Sequence, residues 1–511
     1  MARFSLRTPA GSVPFWIKVA RVIAPVLLGL FLARAHDDTI FGPFHILIGL
    51  ILILMLMPLD RPKKMALFGW LVGLGYFGWT LRWIVEPFLV DVARHGWMAP
   101  FAIALMAGGL ALFWAAAFGV ARRIGGQSGA VLWMPVTLTA AELARGHVFS
   151  GFPWGIPSYA LVGTGADVWL AWVGSYGALF VLSVVAVAVV YGLTRGWLIA
   201  APVIGAVVLV TMSLVGLTPL ASATTGQTVR LIQPNAPQHQ KWDRDWMPVF
   251  FDRAIAQTGA GDAVDVVIWP ETSVPAVLDY ADPWLEQMSL AARGAPVVAG
   301  IQRRDQGEYF NSAILIEGPS TVAAISDKAH LVPFGEYIPL AWLLEPLGLG
   351  TLVEQVAGFS PGTGDGLMEV DGLGTARVLI CYEGIFPEDM QRGEVRADIL
   401  LIITNDAWFG NNAGPRQHLV QAQARAIEQG LPVVRAANTG ISAVIDARGR
   451  IVASLALNTA GYLDAMVPAP LPPTLYARIG DWPLVVLLIV ALAAGVAQAR
   501  RNKIDAGTSR G

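Results

Sequence analysis

Three residues of the sequence could together perform acyl transfer. The only cysteine of the chain, Cys381, follows an apolar run, and Glu271 follows a second apolar run. Lys328 opens a loop after a third predicted strand. A thiol nucleophile needs a base that takes its proton, and a positive group must stand where the tetrahedral oxyanion develops. Cys381, Glu271 and Lys328 could fill these three roles, so the pattern predicts a thiol acyl-transfer site.

Each of the three residues also has a more ordinary interpretation. A lone cysteine is usually a small buried apolar residue, and a Glu or Lys in a loop is usually solvated. Cys381, however, ends a predicted strand in a domain that we expect to be exported, where an unused thiol is a liability. A single cysteine also excludes an intrachain disulfide and a thiolate metal cage. The histidines lack ligand spacing, so we predict neither a metal nor a cofactor.

The elements that must position these residues differ in composition along the chain. Of the 511 residues, 55% are hydrophobic and 14% are charged, whereas about a quarter are charged in a soluble protein. We predict a transmembrane bundle of about seven helices at 1–220, a globular catalytic domain at 225–470, a transmembrane helix at 480–500 and a cytoplasmic tail at 501–511. The net charge of −2 offers no basic surface for nucleic acid.

The apolar parts contain eight candidate membrane spans, because a transmembrane helix needs about 20 apolar residues. Lys and Arg concentrate in the loops of one side, which places both termini in the cytoplasm and 225–470 in the periplasm of a bacterial inner membrane. The stretch Ala33-Arg-Ala35 also resembles a signal-peptidase site, although we favour an uncleaved first span. Glu142, inside the fifth span, has no explanation in the sequence. The eight spans are 16–35, 43–59, 65–85, 97–121, 127–145, 168–193, 197–218 and 482–499.

The 225–470 region alternates strands with helices, which favours a largely buried sheet covered by helices. The predicted strands are 229–233, 266–269, 296–301, 311–316, 321–325, 377–380, 399–404, 432–436, 442–446 and 451–455. The predicted helices are 248–257, 283–293, 387–393 and 416–429.

Four longer motifs resemble those of the apolipoprotein N-acyltransferase family. They are Trp269-Pro-Glu271, Lys328-x-His-Leu-Val-Pro-Phe-Gly-Glu-Tyr-Ile-Pro339, Ile380-Cys-Tyr-Glu383 and Thr404-Asn-Asp-Ala-Trp-Phe-Gly410. The outer domain resembles the nitrilase (carbon–nitrogen hydrolase) superfamily, which implies an α-β-β-α sandwich and a Glu-Lys-Cys triad. The resemblance covers nearly the whole chain, because that family places such a domain between a seven-helix bundle and a last helix.

The resemblance implies a two-step, ping-pong reaction. Cys381 would take an acyl chain from the sn-1 position of a membrane phospholipid, typically phosphatidylethanolamine, and pass it to the N-terminal amine of the diacylglyceryl-cysteine of an apolipoprotein. Glu271 would be the general base and Lys328 would stabilise the oxyanion. The residues that match supporting or substrate-engaging positions of the family are Glu336, Tyr382, Glu383 and Trp242.

Other stretches leave alternatives open. Asn405 and Trp408 follow a strand end, and we expect them to line the pocket. The loop 147–159, with Phe152 and Trp154, is either an aromatic interface belt or part of a lipid-entry surface. The apolar stretch 337–359 is either an amphipathic helix packed on the domain or a mobile lid.

Three functions compete on the sequence alone. The candidates are acyl transfer to lipoproteins, hydrolysis by a membrane-tethered amidase that uses water, and a transporter or scaffold with an inactive outer domain. The apolar stretch 337–359 disfavours a small soluble substrate, and the scarcity of charges inside the spans disfavours a transporter. We expect a monomer, because the bundle could block the surface through which nitrilase domains often pair.

Overall fold

The computed structural model describes residues 15–37, 41–199, 203–208, 210, 223–339 and 358–508. The helices are α1 (Phe15–Ala33), α2 (Gly42–Leu56), α3 (Pro62–Thr80), α4 (Val92–His95), α5 (Ala99–His147), α6 (Leu170–Thr194), α7 (Met247–Thr258), α8 (Asp282–Ala291), α9 (Ala413–Gln429), α10 (Leu475–Ile479) and α11 (Trp482–Thr508).

Four helical segments in the described part of the chain are long and apolar enough to cross a membrane. They are Trp16–Asp37, Val92–His147, Ala166–Thr194 and Trp482–Asn502, with a shorter apolar helix at Gly42–Leu56. The predicted spans 97–121 and 127–145 both lie in α5, which is interrupted at Gly126, whose φ of +64° suits a residue without Cβ. Most of the span 197–218 lies outside the described residues, so eight spans stay a prediction. Helix α11 runs to Thr508, so most of the predicted tail 501–511 is helical.

Glu142 forms a buried ion pair near the end of α5. Its carboxylate lies 2.5 Å from the guanidinium of Arg145 and accepts a hydrogen bond of 2.7 Å from Trp114 Nε1. Arg145 also donates to the carbonyls of Phe152 and Trp154 in the following loop. Glu142 therefore neutralises a buried arginine that holds the loop after α5, which explains this charge inside the bundle.

Replacing Arg145 by methionine is expected to lower the thermal unfolding midpoint of the full-length protein in detergent. Removing one partner of a buried ion pair costs about 3–5 kcal/mol, because the other charge stays buried without compensation. Fluorescence-monitored unfolding would measure the shift. Arg123→Met, at an exposed position of the same helix, is the control, and equal midpoints for the two variants would contradict this assignment.

The 225–470 region contains two six-stranded sheets with the orders β12-β1-β2-β3-β4-β5 and β11-β10-β9-β8-β7-β6. All ten predicted strands are present, and β6 and β12 were not predicted. All four residues of β6 pair with β7. β12 runs antiparallel to β1, and its residues alternate between partly buried and exposed from Gly461 to Met466. The strands are β1 (Thr224–Gln233), β2 (Val266–Ile268), β3 (Val297–Asp305), β4 (Glu308–Glu317), β5 (Thr321–Asp327), β6 (Leu367–Val370), β7 (Gly374–Ile380), β8 (Ile399–Thr404), β9 (Val433–Ala437), β10 (Ala443–Ile445), β11 (Ile451–Ser454) and β12 (Gly461–Pro468).

The two sheets pack face to face and are covered by helices on their outer sides. One buried cluster joins the inner faces, with Leu231 and Ile268 on one side and Val378 and Leu401 on the other. A second cluster buries α7 and α8 against the first sheet, and a third buries α9 against the second sheet. This α-β-β-α sandwich is the architecture that the resemblance implied.

The first sheet carries Glu271 and Lys328, and the second carries Cys381. Glu271 follows β2, Lys328 follows β5, and Cys381 follows β7. The packing of the two sheets is therefore what brings the three side chains together.

Candidate active site

Cys381 lies at a sharp turn between β7 and the 3₁₀ helix Cys381–Ile385. Its φ is +55°, a left-handed conformation that costs a non-glycine residue about 1–3 kcal/mol. The side chain is almost fully buried and lies close enough to Glu271 and Lys328 for their charges to act on the pKa of its thiol. The surrounding contacts therefore hold the nucleophile candidate in a strained position that faces a carboxylate.

Glu271 and Lys328 form a buried ion pair beside the thiol. Lys328 Nζ lies 3.5 Å from Glu271 Oε1 and 2.9 Å from Glu336 Oε1. Asn311 Nδ2 bridges the two carboxylates, at 2.8 Å from Glu271 Oε1 and 3.0 Å from Glu336 Oε1. The backbone N–H of Asn405 donates to Glu271 Oε2 over 2.9 Å. Both carboxylates are thereby fixed in place around one ammonium group.

The electrostatics of the cluster favour a charged base and a neutral nucleophile. Burial opposes ionisation of Glu271, but Lys328 and Lys241 outweigh it and hold its pKa below the usual value. Burial would also lower the pKa of Lys328, yet Glu336 and Glu271 raise it above the usual value. Burial, and then the charge of Glu271, raise the pKa of the Cys381 thiol. The arrangement therefore holds a carboxylate ready to take the proton of a thiol that does not ionise on its own.

Glu383 connects the turn at Cys381 to the loop of Lys328. Its Oε1 accepts the backbone N–H groups of Ala329 (2.9 Å) and His330 (3.2 Å), and its Oε2 accepts that of Ile380 (2.8 Å). Arg392 Nη1 lies 3.2 Å from Glu383 Oε1 and forms an ion pair with it. Glu383 is buried and reaches both segments, so its position suits support of the site.

Tyr382 connects the same turn to the membrane bundle. Its hydroxyl donates to the carbonyl of Gly151 over 3.2 Å. His330, two residues after Lys328, lies 2.7 Å from the carbonyl of Ser150 through Nε2. The loop after α5 therefore contacts both the turn at Cys381 and the loop of Lys328.

The side chain of Trp154 fits neither interpretation of the loop 147–159, the interface belt or the lipid-entry surface. Its side chain is fully buried, its Nε1 donates to Gln417 Oε1 over 2.7 Å, and its ring contacts Trp83 and Phe409. A side chain with no exposed surface is neither part of an interface belt nor a lipid contact in this conformation. Phe152 is partly buried and stacks on Trp154, with ring centroids 6.3 Å apart. The loop joins the bundle to the catalytic domain.

The three other residues predicted to bind substrate occupy different positions. Asn405 is buried; besides its backbone bond to Glu271, its side chain contacts Gln238 at 2.9 Å and Asn438 at 2.8 Å. Trp242 and Trp408 are 44% and 40% exposed, which leaves them free to meet a substrate. Asn405 thus orients the carboxylate, whereas the two tryptophans stay candidates for substrate contact.

Sequence reasoning missed Lys241. This lysine is buried, and its Nζ donates to the carbonyl of Glu271 over 3.0 Å and to Thr272 Oγ1 over 2.8 Å. With Glu271 and Trp242 it lines a cleft beside the site. The available signal was a charged residue directly before Trp242, but its burial depends on the fold of the loop after β1.

The buried position of Lys241 predicts a pH dependence of stability. Burial lowers its pKa from 10.5 to about 8. Between these values the unfolded chain binds a proton that the folded protein has released, so the free energy of unfolding contributed by Lys241 rises with pH. We expect the unfolding midpoint of wild type, relative to Lys241→Met, to rise between pH 8 and 10. A difference that stays constant over this range would contradict the prediction.

Two family models match the chain. Residues 228–471 match a model described as carbon-nitrogen hydrolase, and residues 28–188 match one described as the apolipoprotein N-acyltransferase N-terminal domain. The second match falls on the helical bundle and the first on the two sheets.

Curated relatives match over most of their length. A protein named apolipoprotein N-acyltransferase from Rhodopseudomonas palustris is 37% identical over 458 residues, covering 84% of each chain. One of the same name from Caulobacter vibrioides is 36% identical over 504 residues, covering 93% of each. A third, from Bradyrhizobium diazoefficiens, is 39% identical over 466 residues, covering 85% of this chain and 86% of that one.

Solved structures match about half of this chain. A mutant of a Nesterenkonia amidase from the nitrilase superfamily is 20% identical with a TM-score of 0.36, covering 51% of this chain and 96% of that one. A carbon-nitrogen hydrolase from Helicobacter pylori is 17% identical with a TM-score of 0.35, covering 47% of this chain and 89% of that one.

Proposed function

Because the chain belongs to the apolipoprotein N-acyltransferase family, we propose that Glu271, Lys328 and Cys381 transfer an acyl chain from a phospholipid to a lipoprotein. The protein is a membrane-bound acyltransferase whose substrates are a lipoprotein and a phospholipid. The observation that carries the residue assignment is the buried Lys328–Glu271 pair beside a thiol at a strained strand end.

The first half-reaction forms a thioester. Glu271 takes the proton of the Cys381 thiol while the sulfur attacks the carbonyl carbon of the sn-1 ester. An ammonium has three N–H donors. Lys328 Nζ donates one to Glu336 and lies 3.5 Å from Glu271, so a further donor can face the oxyanion. The ester C–O bond then breaks, Glu271 returns its proton to the leaving oxygen, and a lysophospholipid departs.

The second half-reaction discharges the thioester. The α-amine of the diacylglyceryl-cysteine attacks the thioester carbon and gives a proton to Glu271. The C–S bond breaks, an amide forms, and the Cys381 sulfur recovers a proton from Glu271. Glu271 acts as base and then acid in both halves, and Lys328 faces the same oxyanion position each time.

The membrane setting suits two lipid substrates. Each buried CH₂ is worth about 0.8 kcal/mol, so exposing a C16 chain to water would cost on the order of 12 kcal/mol. Helices on both sides of the catalytic domain would hold it at the surface where acyl chains need not cross water. We propose that 225–470 lies in the periplasm of a bacterial inner membrane with both termini in the cytoplasm, that phosphatidylethanolamine is the donor, and that the protein acts as a monomer.

Positionally labelled donors would test this function. Full-length protein in detergent would be incubated with phosphatidylethanolamine labelled in its sn-1 or its sn-2 chain, with or without a diacylated lipopeptide. We expect the sn-1 label alone to reach the lipopeptide, and a stoichiometric amount of lysophospholipid to form without acceptor. Cys381→Ser is the control. Label released only as free fatty acid would replace this proposal with a membrane-tethered hydrolase.

The apolar stretch 337–359 gives a further prediction, although residues 340–357 lie outside the described residues. Since the stretch has little charge, we propose that it admits lipid to the site. Deleting 343–357 is expected to abolish lipid acylation while the catalytic domain stays folded, as judged by its thermal unfolding. Unchanged acylation by the deletion variant would contradict this role.

A further inference from the structure

A second buried polar cluster lies next to the backbone of the nucleophile. Asp406 Oδ1 lies 2.9 Å from His418 Nδ1, and Asp406 Oδ2 lies 2.7 Å from an Arg435 guanidinium nitrogen. The same Arg435 nitrogen lies 3.1 Å from His418 Nδ1. Thr404 Oγ1, at the end of β8, also donates to Asp406 Oδ1 over 2.9 Å. These groups have almost no solvent exposure, so their mutual contacts fix their orientation.

His418 connects this cluster to the backbone of the nucleophile. Its Nε2 lies 3.2 Å from the carbonyl oxygen of Cys381. A carbonyl oxygen only accepts, so Nε2 carries the hydrogen of this bond. The imidazole is covered by the rings of Trp154 and Phe409, with centroids 5.6 and 5.5 Å away. His418 thus reaches the nucleophile candidate, whose backbone is strained.

We propose that His418 is a positioning residue that holds the backbone of Cys381 in its left-handed conformation and so keeps the thiol in contact with Glu271. This inference rests on the proposed function, in which Cys381 is the nucleophile. Asp406 and Arg435 fix the imidazole from one side, and Trp154 from the bundle loop covers it. The strain at Cys381, φ +55°, is tolerated because its carbonyl has a fixed donor; without that donor the turn can relax.

The inference predicts a change in turnover more than in substrate binding. His418 is almost fully buried and acts through the backbone of Cys381. A displacement of about 1 Å at a reacting atom can cost about 10²-fold in rate. We expect His418→Leu to lower kcat by about this factor with KM little changed. His418→Gln places an amide N–H near the position of Nε2, so it should retain activity within about tenfold of wild type.

The experiment compares these variants in the full-length protein in detergent. The rate of Cys381 alkylation by iodoacetamide is a second readout, and it reports one residue because the chain has a single cysteine. The alkylation rate should change in His418→Leu and return towards the wild-type rate in His418→Gln, because a displaced thiol changes both its exposure and its distance from Glu271. Arg416→Leu, at an exposed position of the same helix, should match wild type in both readouts.

Two results would overturn the inference. One is a folded His418→Leu variant with wild-type kcat and alkylation; the other is His418→Gln impaired as strongly as His418→Leu. If His418→Leu fails to fold, His418→Asn replaces it, because its shorter amide can meet Asp406 but cannot reach the Cys381 carbonyl. If wild type forms no acyl-enzyme, the proposed function fails, while the alkylation rates still decide whether His418 positions the thiol.

Discussion

Replacing Glu271 by glutamine is expected to slow acyl-enzyme formation by about 10²–10⁴-fold, the usual contribution of a general base. The effect should be large because burial, which the variant keeps, raises the pKa of the Cys381 thiol, so little thiolate exists without proton transfer. Glutamine keeps the shape of the side chain and one oxygen that can accept from Asn405 or Asn311. The loss should therefore be chemical, with the protein still folded.

Single-turnover measurements would separate this effect from lipid binding. The rate of lysophospholipid release from a labelled donor reports thioester formation alone. Glu317→Gln, on an exposed position at the end of β4, is the matched control. A Glu271→Gln variant that releases lysophospholipid at the wild-type rate would exclude Glu271 as the base.

Replacing Lys328 by methionine is expected to abolish activity and to destabilise the protein. Lys328 is almost fully buried between two carboxylates, Glu271 and Glu336. Removing it leaves Glu336 without its ion-pair partner and Glu271 with the more distant charge of Lys241. Breaking a buried pair typically costs about 3–5 kcal/mol. The oxyanion also loses its positive partner, which is typically worth about 10²–10³ in kcat.

A double variant separates the two consequences. Adding Glu336→Gln to Lys328→Met removes one of the unpaired carboxylates, so the thermal unfolding midpoint should partly recover while activity stays absent. Arg304→Met, at an exposed position of β3, controls for loss of a surface cation. If the double variant regained activity together with its unfolding midpoint, Lys328 would act through folding alone.

The alternation of apolar runs and turns was enough to predict most of the sandwich. Buried strands such as β8 consist almost wholly of apolar residues, and their ends carry Cys381 and Glu271 where the sequence predicted them. β12 was not predicted because three of its eight residues are exposed. Its sequence also contains Gly461 and Asp464, which are unusual in strands. Its pairing with β1 is a tertiary contact between segments more than 200 residues apart.

The supporting contacts of the site could not be predicted from sequence. Trp154 and Gln417 are 263 positions apart, and no local pattern links them. The strained φ of Cys381 likewise follows from contacts with segments distant in sequence, not from its neighbours. Glu142 is a partial exception, because a carboxylate three residues before Arg145 is a typical helical pair; its link to the loop of Trp154 still required the fold.

The most direct test of the proposed reaction is intact-mass analysis of the detergent-solubilised protein after incubation with phosphatidylethanolamine. We predict a mass increase of one acyl chain on Cys381, removed by hydroxylamine, absent in Cys381→Ala, and discharged by a diacylated lipopeptide that gains the same chain. A folded wild-type protein that shows no adduct and produces no lysophospholipid would contradict acyl transfer from phospholipid through Cys381.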